Sequence, residues 1–184
     1  MDLRDIINSI YPISEKSMDR VLSCSLELGR PKGHRLLEAG KIESDIFFIK
    51  RGIVRAYVSH EGKDITFWIG ATIMSLKSYV KNEAGYETIE LMEDSLLYCL
   101  KRSDLYRLFE EDIDIANWGR KLAELEFLRA EEKLIPLLFT TASERYRVLL
   151  ERTPDLLQRI PLECLASYLG ITPVSLSRIR AKLK

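Results

Sequence analysis

Histidine is nearly missing from this 184-residue chain: only His34 and His60 occur, and neither stands at a metal-ligand spacing. Cysteine is scarce too. Cys24, Cys99 and Cys164 lie far apart with no CxxC pair, which excludes a cluster held by four thiolates. Three isolated thiols read as small buried hydrophobes; a redox role would need an exposed thiol with a lowered pKa. With no cluster of histidine and carboxylate ligands and no activated nucleophile, the chain does not read as an enzyme, and neither metal nor cofactor is expected. No stretch approaches the roughly 18 consecutive apolar residues of a membrane span. The first residues, MDLRDIINSIYP, carry Asp2, Arg4 and Asp5 where a secretory leader is apolar. A cytoplasmic protein with no membrane partner is expected.

Net charge is also absent, with 28 basic against 28 acidic residues, but the balance hides a gradient. Acids dominate between Glu83 and Asp114. From Thr172 onward every charged residue is basic: Arg178, Arg180, Lys182 and Lys184. One basic end on an acidic body is the pattern of a protein whose end meets phosphates.

The texture along the chain divides it in three. Short helices come first, LRDIINSIY and then SEKSMDRVLSCSL, the second capped by Ser14. From Pro31 the runs GHRLLEAG, DIFFIKRG, IVRAYVS, KDITFWIG and SLLYCL are rich in β-branched and aromatic residues. Glycines or charged turns separate them, which predicts antiparallel hairpins in a roll or sandwich. After Lys101 a helical stretch, capped by Ser103, extends to Phe139. Ile115, Trp118, Leu122 and Leu125 form its apolar stripe, suited to a dimer seam or to core packing, and Gly119 and Pro136 are expected to weaken or kink it. SERYRVLLERTP gives a further helix, stopped near Pro154. The expected units are 1–108, a β-rich module with its leading helices; 109–138, a long connecting and dimerisation helix; and 139–184, a small helical module.

That last module carries the function. Between Leu162 and Ala181 the residues meet the demands of a helix-turn-helix. Ala166 is small where two helices cross, Gly170 falls at the turn, and Leu165, Leu169, Ile171, Leu176 and Ile179 have the spacing to fill the wedge. Thr172 and Pro173 make a hydroxyl cap followed by proline at the first helical position. Thr172, Ser175, Ser177, Arg178, Arg180, Lys182 and Lys184 are therefore the candidate DNA contacts. Arg178 is the first choice for a base edge, and the other cations suit phosphates.

A β-rich module, a long helix and a helix-turn-helix in this order resemble the Crp/Fnr superfamily of bacterial transcription regulators. The strongest segments are LASYLGITPVSLSRIRAKL and DIFFIKRGIVRAYVSHEGKDITFWIG. The resemblance implies an α+β chain: an antiparallel, double-stranded-β-helix-like roll acting as effector domain, homodimerisation along the long helix, and a two-fold site on double-stranded DNA. It also implies two departures. Members that bind cyclic AMP carry a Gly-Glu pair and, after a short helix, an Arg-Ser/Thr pair that grips the phosphate. Here Ser75 and Leu76 lie near the first, and no arginine occurs between Arg55 and Arg102. A phosphate buried without its cation is costly, so cyclic AMP is disfavoured and the effector is unassigned. Lys77 and Lys81 are the residual anion contacts. Phe67, Trp68, Met74, Leu76 and Tyr79 are the candidates for an altered pocket, with roll core as the competing reading. The alternative function is a small-molecule sensor, with a cyclic nucleotide among the candidate ligands, and weak or altered DNA binding. The second departure is that little or no wing follows the recognition helix, so Arg145 and Arg147 are expected to supply further DNA affinity.

Overall fold

Two amphipathic helices open the chain of the computed structural model, which describes residues 1–70 and 72–182. Helix α1 (Leu3–Ile10) starts in a reciprocal capping box: Asp2 accepts from the amide of Asp5, and Asp5 accepts from that of Asp2. Helix α2 (Glu15–Ser23) starts on Ser14, whose hydroxyl accepts the Ser17 amide as its sequence position predicts.

The roll follows. Strands β1 (Ser25–Arg30), β2 (Arg35–Leu37), β3 (Ile46–Arg51), β4 (Val54–His60), β5 (Lys63–Gly70), β6 (Thr72–Ile73), β7 (Thr88–Leu91) and β8 (Ser95–Leu100) form two antiparallel sheets among the described residues. One sheet has the order β1-β8-β3-β6, the other β2-β7-β4-β5. A short helix, α3 (Leu76–Lys81), lies between β6 and β7.

Strand β3 explains why its sequence is an unbroken apolar run. Phe47 and Ile49 point between the sheets, into a core with Leu37, Val54, Ala56, Ile89, Leu91 and Leu97. Ile46 and Phe48 point the other way, against the helices. A strand covered on both faces has no polar side to show.

The second core is where the long helix begins. Helix α4 (Arg102–Glu111) and helix α5 (Ile113–Phe139) are separated by one extended residue, Asp112. Ser103 lies inside α4 and does not cap it; Lys101 precedes the helix with no side-chain cap. Ile115, Trp118 and Leu122 of α5 are buried against Leu3, Ile7, Met18, Phe48, Leu105 and Leu108. The stripe read as a dimer seam is thus spent within the chain: α1, α2 and α4 cover it, and Leu125 at its end is half-buried. Beyond Ile113 at its first turn, the large apolar residues that α5 leaves exposed come later, at Phe127, Leu128, Leu134, Ile135, Leu137, Leu138 and Phe139. Gly119 does not break the helix. A Cβ there would stand 2.6 Å from Cε1 of Phe109, so glycine lets α4 pack close.

Asp112 ties the leading helices to α5. Its carboxylate accepts the amides of Asp114 (3.1 Å) and Ile115 (3.4 Å), the Ser17 hydroxyl (3.0 Å) and Arg20 Nη1 (3.1 Å). Burial pushes this carboxyl up, but the hydrogen bonds from Ser17, the Ile115 amide, Arg20 and the Asp114 amide together hold it below its ordinary value. A carboxyl lowered on folding adds stability above the unfolded pKa, about 3.9, that is lost as pH falls through the lower folded value. Asp112→Ala is expected to cost about 1–3 kcal/mol at neutral pH in urea unfolding. The deficit should shrink below about pH 4, where the wild type loses the same interactions. A deficit that does not change with pH would remove the charge from this account.

Candidate nucleic-acid interface

Helix α6 (Ala142–Arg152) begins with a second reciprocal capping box between Thr141 and Glu144. Helix α7 (Pro154–Arg159) starts on Pro154 at its first turn, so this proline opens a helix as well as ending the one before. Helices α8 (Leu162–Tyr168) and α9 (Pro173–Lys182) then form the helix-turn-helix.

Its turn is closed by the backbone. Gly170 takes φ +71°, the Ile171 amide donates to Ala166 O (3.0 Å) and the Gly170 amide to Ser167 O (2.9 Å). These two bonds are the Schellman pair that satisfies the last carbonyls of α8. Thr172 caps α9, its hydroxyl accepting the Ser175 amide at 3.2 Å and lying 3.0 Å from the Ser175 hydroxyl. Leu165, Ala166, Leu169 and Leu176 are buried in the wedge, with Ile171 and Ile179 packed against them. A Cβ at Gly170 would meet only Leu137 at 3.7 Å, so an alanine has room and the cost is conformational. Gly170→Ala is expected to destabilise the chain by about 1–2 kcal/mol, read by urea unfolding. A neutral result would contradict the left-handed turn.

Helix α9 has two faces. Val174, Ser177, Arg178, Ala181 and Lys182 are exposed and follow the three- and four-residue steps of one helical face. Ser175 is half-buried and engaged at the cap. Arg180 points inward, with its guanidinium 5.7 Å from the Tyr146 ring centroid and its Nε buried without a partner. The outward set is therefore Ser177, Arg178 and Lys182, Thr172 and Ser175 serve the helix start, and Arg180 packs. Lys184 lies outside the described residues. Arg145, expected to add DNA affinity, is also committed: Nη1 donates to Thr140 O (2.5 Å) and Nη2 to Leu169 O (2.8 Å). Arg147 is exposed.

The opposite side of the module rests on the roll. Ser167 on α8 accepts the Thr66 amide at 2.8 Å and donates to Asp64 O at 3.2 Å, pairing with the open edge of β5. Arg55 donates to Glu90 (2.9 Å), Asp64 (3.2 Å) and Cys164 Sγ (3.4 Å), and stacks 4.1 Å from the Tyr57 ring centroid. Arg159 pairs with Glu93. Ile53, Ile69 and Met92 of the roll join the helix-turn-helix core. The bonds from the roll to the helical module were not legible in the sequence, because each joins residues at least sixty positions apart. Burial, partly opposed by Arg55, pushes the Cys164 thiol up, and burial takes Cys99 up to about 11. Neither thiol has the lowered pKa of a reactive cysteine.

The five residues proposed for an effector pocket do not converge. Trp68 packs into the core between the sheets, and Met74 and Tyr79 pack against the helical core. Leu76 is 64% exposed, and Phe67 stands 6.3 Å from the Tyr86 ring. After α3 the buried charged side chain is a carboxylate: Glu87, 5% exposed, accepts the Tyr86 amide at 3.0 Å. Lys77 pairs with Glu83 at 3.4 Å, and Lys81 is exposed. Among the described residues no group of histidine, cysteine and carboxylates is placed to hold a metal, and no helix is long and apolar enough to cross a membrane.

A roll of two antiparallel sheets, a long helix and a terminal helix-turn-helix make the fold of the Crp/Fnr regulators. The structure of FixK2 from Bradyrhizobium japonicum is similar with a TM-score of 0.73 and 19% identity, over 86% of this chain and 84% of that one. A CooA variant from Carboxydothermus hydrogenoformans gives 0.69 and 22%, over 99% and 84%. A protein assigned to the crp/fnr family of transcriptional regulators from Eubacterium rectale gives 0.70 and 16%, over 93% and 85%. No family model and no curated protein matches the sequence.

Proposed function

We propose that the chain is a dimeric, sequence-specific DNA-binding transcription regulator of Crp/Fnr type, and not an enzyme. The observation that carries this reading is the outward face of α9, where Ser177, Arg178 and Lys182 stand together on a helix whose start and preceding turn are closed by Thr172 and Gly170. Hydroxyls and long cations on an exposed recognition helix suit phosphates and base edges in a major groove. The exposed apolar residues of α5, from Phe127 to Phe139, supply the surface along which two copies would pair. Pairing would place two recognition helices on half-sites about one helical turn, roughly 34–36 Å, apart.

The roll acts in this proposal as a sensor or dimerisation module for which cyclic AMP is a poor ligand. Glu87 is the buried charge beyond α3, and a carboxylate there repels a cyclic phosphate. The test is selection from random duplex DNA with the full chain. A two-fold site should be enriched, with binding that falls steeply as salt rises. A folded dimer that enriches no sequence at low salt would sink the proposal.

A further inference from the structure

Where α5, α6 and α8 meet, the structure holds a cavity of about 210 Å³. Its wall is mostly carbon, from Pro136 and Leu137 of α5, Val148 and Leu149 of α6, and Leu169 beyond α8. Two cations interrupt that wall. Lys133 Nζ donates to Tyr168 O at 3.0 Å and lies 2.9 Å from the Tyr168 ring centroid. Arg145 spends its two Nη atoms on backbone carbonyls, while its Nε is buried with no partner. Neither cation forms a salt bridge among the described residues, although eleven other lysines and arginines do. The two carboxylates at the cavity do not answer them. Glu144 is occupied by the Thr141 amide (2.7 Å) and hydroxyl (2.8 Å), and Glu132 is on the exposed side of α5.

An apolar wall with unanswered positive charge selects for one anionic head on an apolar tail. We infer that this cavity is a binding site for a small monocarboxylic acid, its carboxylate held by Lys133 Nζ in the field of the neighbouring Arg145 guanidinium and its hydrocarbon chain lying against Leu137, Val148 and Leu149. A phosphate ester fits less well, since two negative charges would need more donors than these side chains have left. Burial, and secondly Arg145, push Lys133 down to about 7, the response of an ammonium held out of water beside a second cation. A bound carboxylate would restore its charge, so binding near neutral pH takes up a proton. Tyr168, which burial pushes up instead, and Glu132, Glu144 and Arg145 are the other ionisable groups around it.

The walls belong to the long helix, to α6 and to the end of α8, the first helix of the helix-turn-helix, so an occupant would fix these three against one another. That consequence rests on the DNA-binding proposal; the site itself does not.

The test is calorimetric titration of the full chain with octanoate, octanol and octylamine, in two buffers of different ionisation enthalpy. Octanoate should bind with proton uptake, and both the alcohol and the amine at least tenfold more weakly. Lys133→Met, which keeps length and removes charge, should weaken octanoate about tenfold or more. Val148→Phe, a filling change at an exposed rim position, should abolish binding in a chain that stays folded. No octanoate binding, equal binding of octanol, or undiminished binding by Lys133→Met would each overturn the inference. Because no DNA is present, a negative result leaves the DNA selection to stand or fall by itself.

Discussion

Arg178→Ala is expected to leave the melting temperature unchanged and to erase preference at one base pair in each half-site. The side chain is exposed and has no hydrogen bond or salt bridge among the described residues, and such surface changes usually stay within about 0.5 kcal/mol of neutral. Its value would appear only on DNA. A guanidinium can pair with guanine O6 and N7 together, which discriminates against the wrong base by roughly 1–3 kcal/mol per contact. Two copies contribute two contacts, so affinity for the selected site should fall more than affinity for random duplex. Lys182→Ala provides the contrast. An ammonium on a phosphate carries no sequence information, so all duplexes should weaken alike and the salt slope should drop by about one per half-site. Arg180→Ala should behave differently again, because Arg180 lies against Tyr146 and its loss unsettles the module itself. Binding to arrays of variant sites, alongside thermal melts, separates the three. If Arg178→Ala and Lys182→Ala weaken every duplex equally, the division between base and phosphate contacts is wrong.

The helix-turn-helix could be read in advance because its constraints are local. Ala166, Gly170, Ile171 and Thr172 lie within seven residues, and the turn they make is closed by bonds among themselves. The hairpins around β3, β4 and β5 were legible for a similar reason, with β-branched runs broken by residues that turn easily. Strand β1 was not. Its sequence, SLELGR, has no β-branched or aromatic residue, and it becomes a strand because β8, about seventy residues on, pairs with it. Strand β7, four residues long, was lost in the acidic stretch around it. Arg145 and Arg180 looked like surface cations in sequence, yet the carbonyls and ring that hold them come from other helices or loops. The long helix exposes a deeper limit. Apolar residues at three- and four-residue steps mark a buried face without naming what buries it. Ile115, Trp118 and Leu122 are covered by α1, α2 and α4, while Phe127, Leu128, Leu134, Ile135, Leu138 and Phe139 farther along are exposed among the described residues.

That division predicts opposite results for two changes on one helix. Leu122→Ala should act as a core truncation, costing about 2–5 kcal/mol, with self-association preserved wherever the chain stays folded. Ile135→Glu should do the reverse. Ile135 is 52% exposed, so a single folded chain loses little, but in a paired helix two carboxylates would face one another across an apolar seam. Sedimentation should find a folded monomer. The DNA consequence is the larger one, since two linked modules bind a two-fold site with an avidity that exceeds the single affinity by roughly a hundred- to ten-thousand-fold. Ile135→Glu should forfeit most of that factor while retaining weak binding to one half-site, because α9 and its turn are untouched. Leu138→Glu, three residues on and 67% exposed, should repeat the result. A dimer that survives both changes would place the seam elsewhere, and the exposed row on α5 would then need a different occupant.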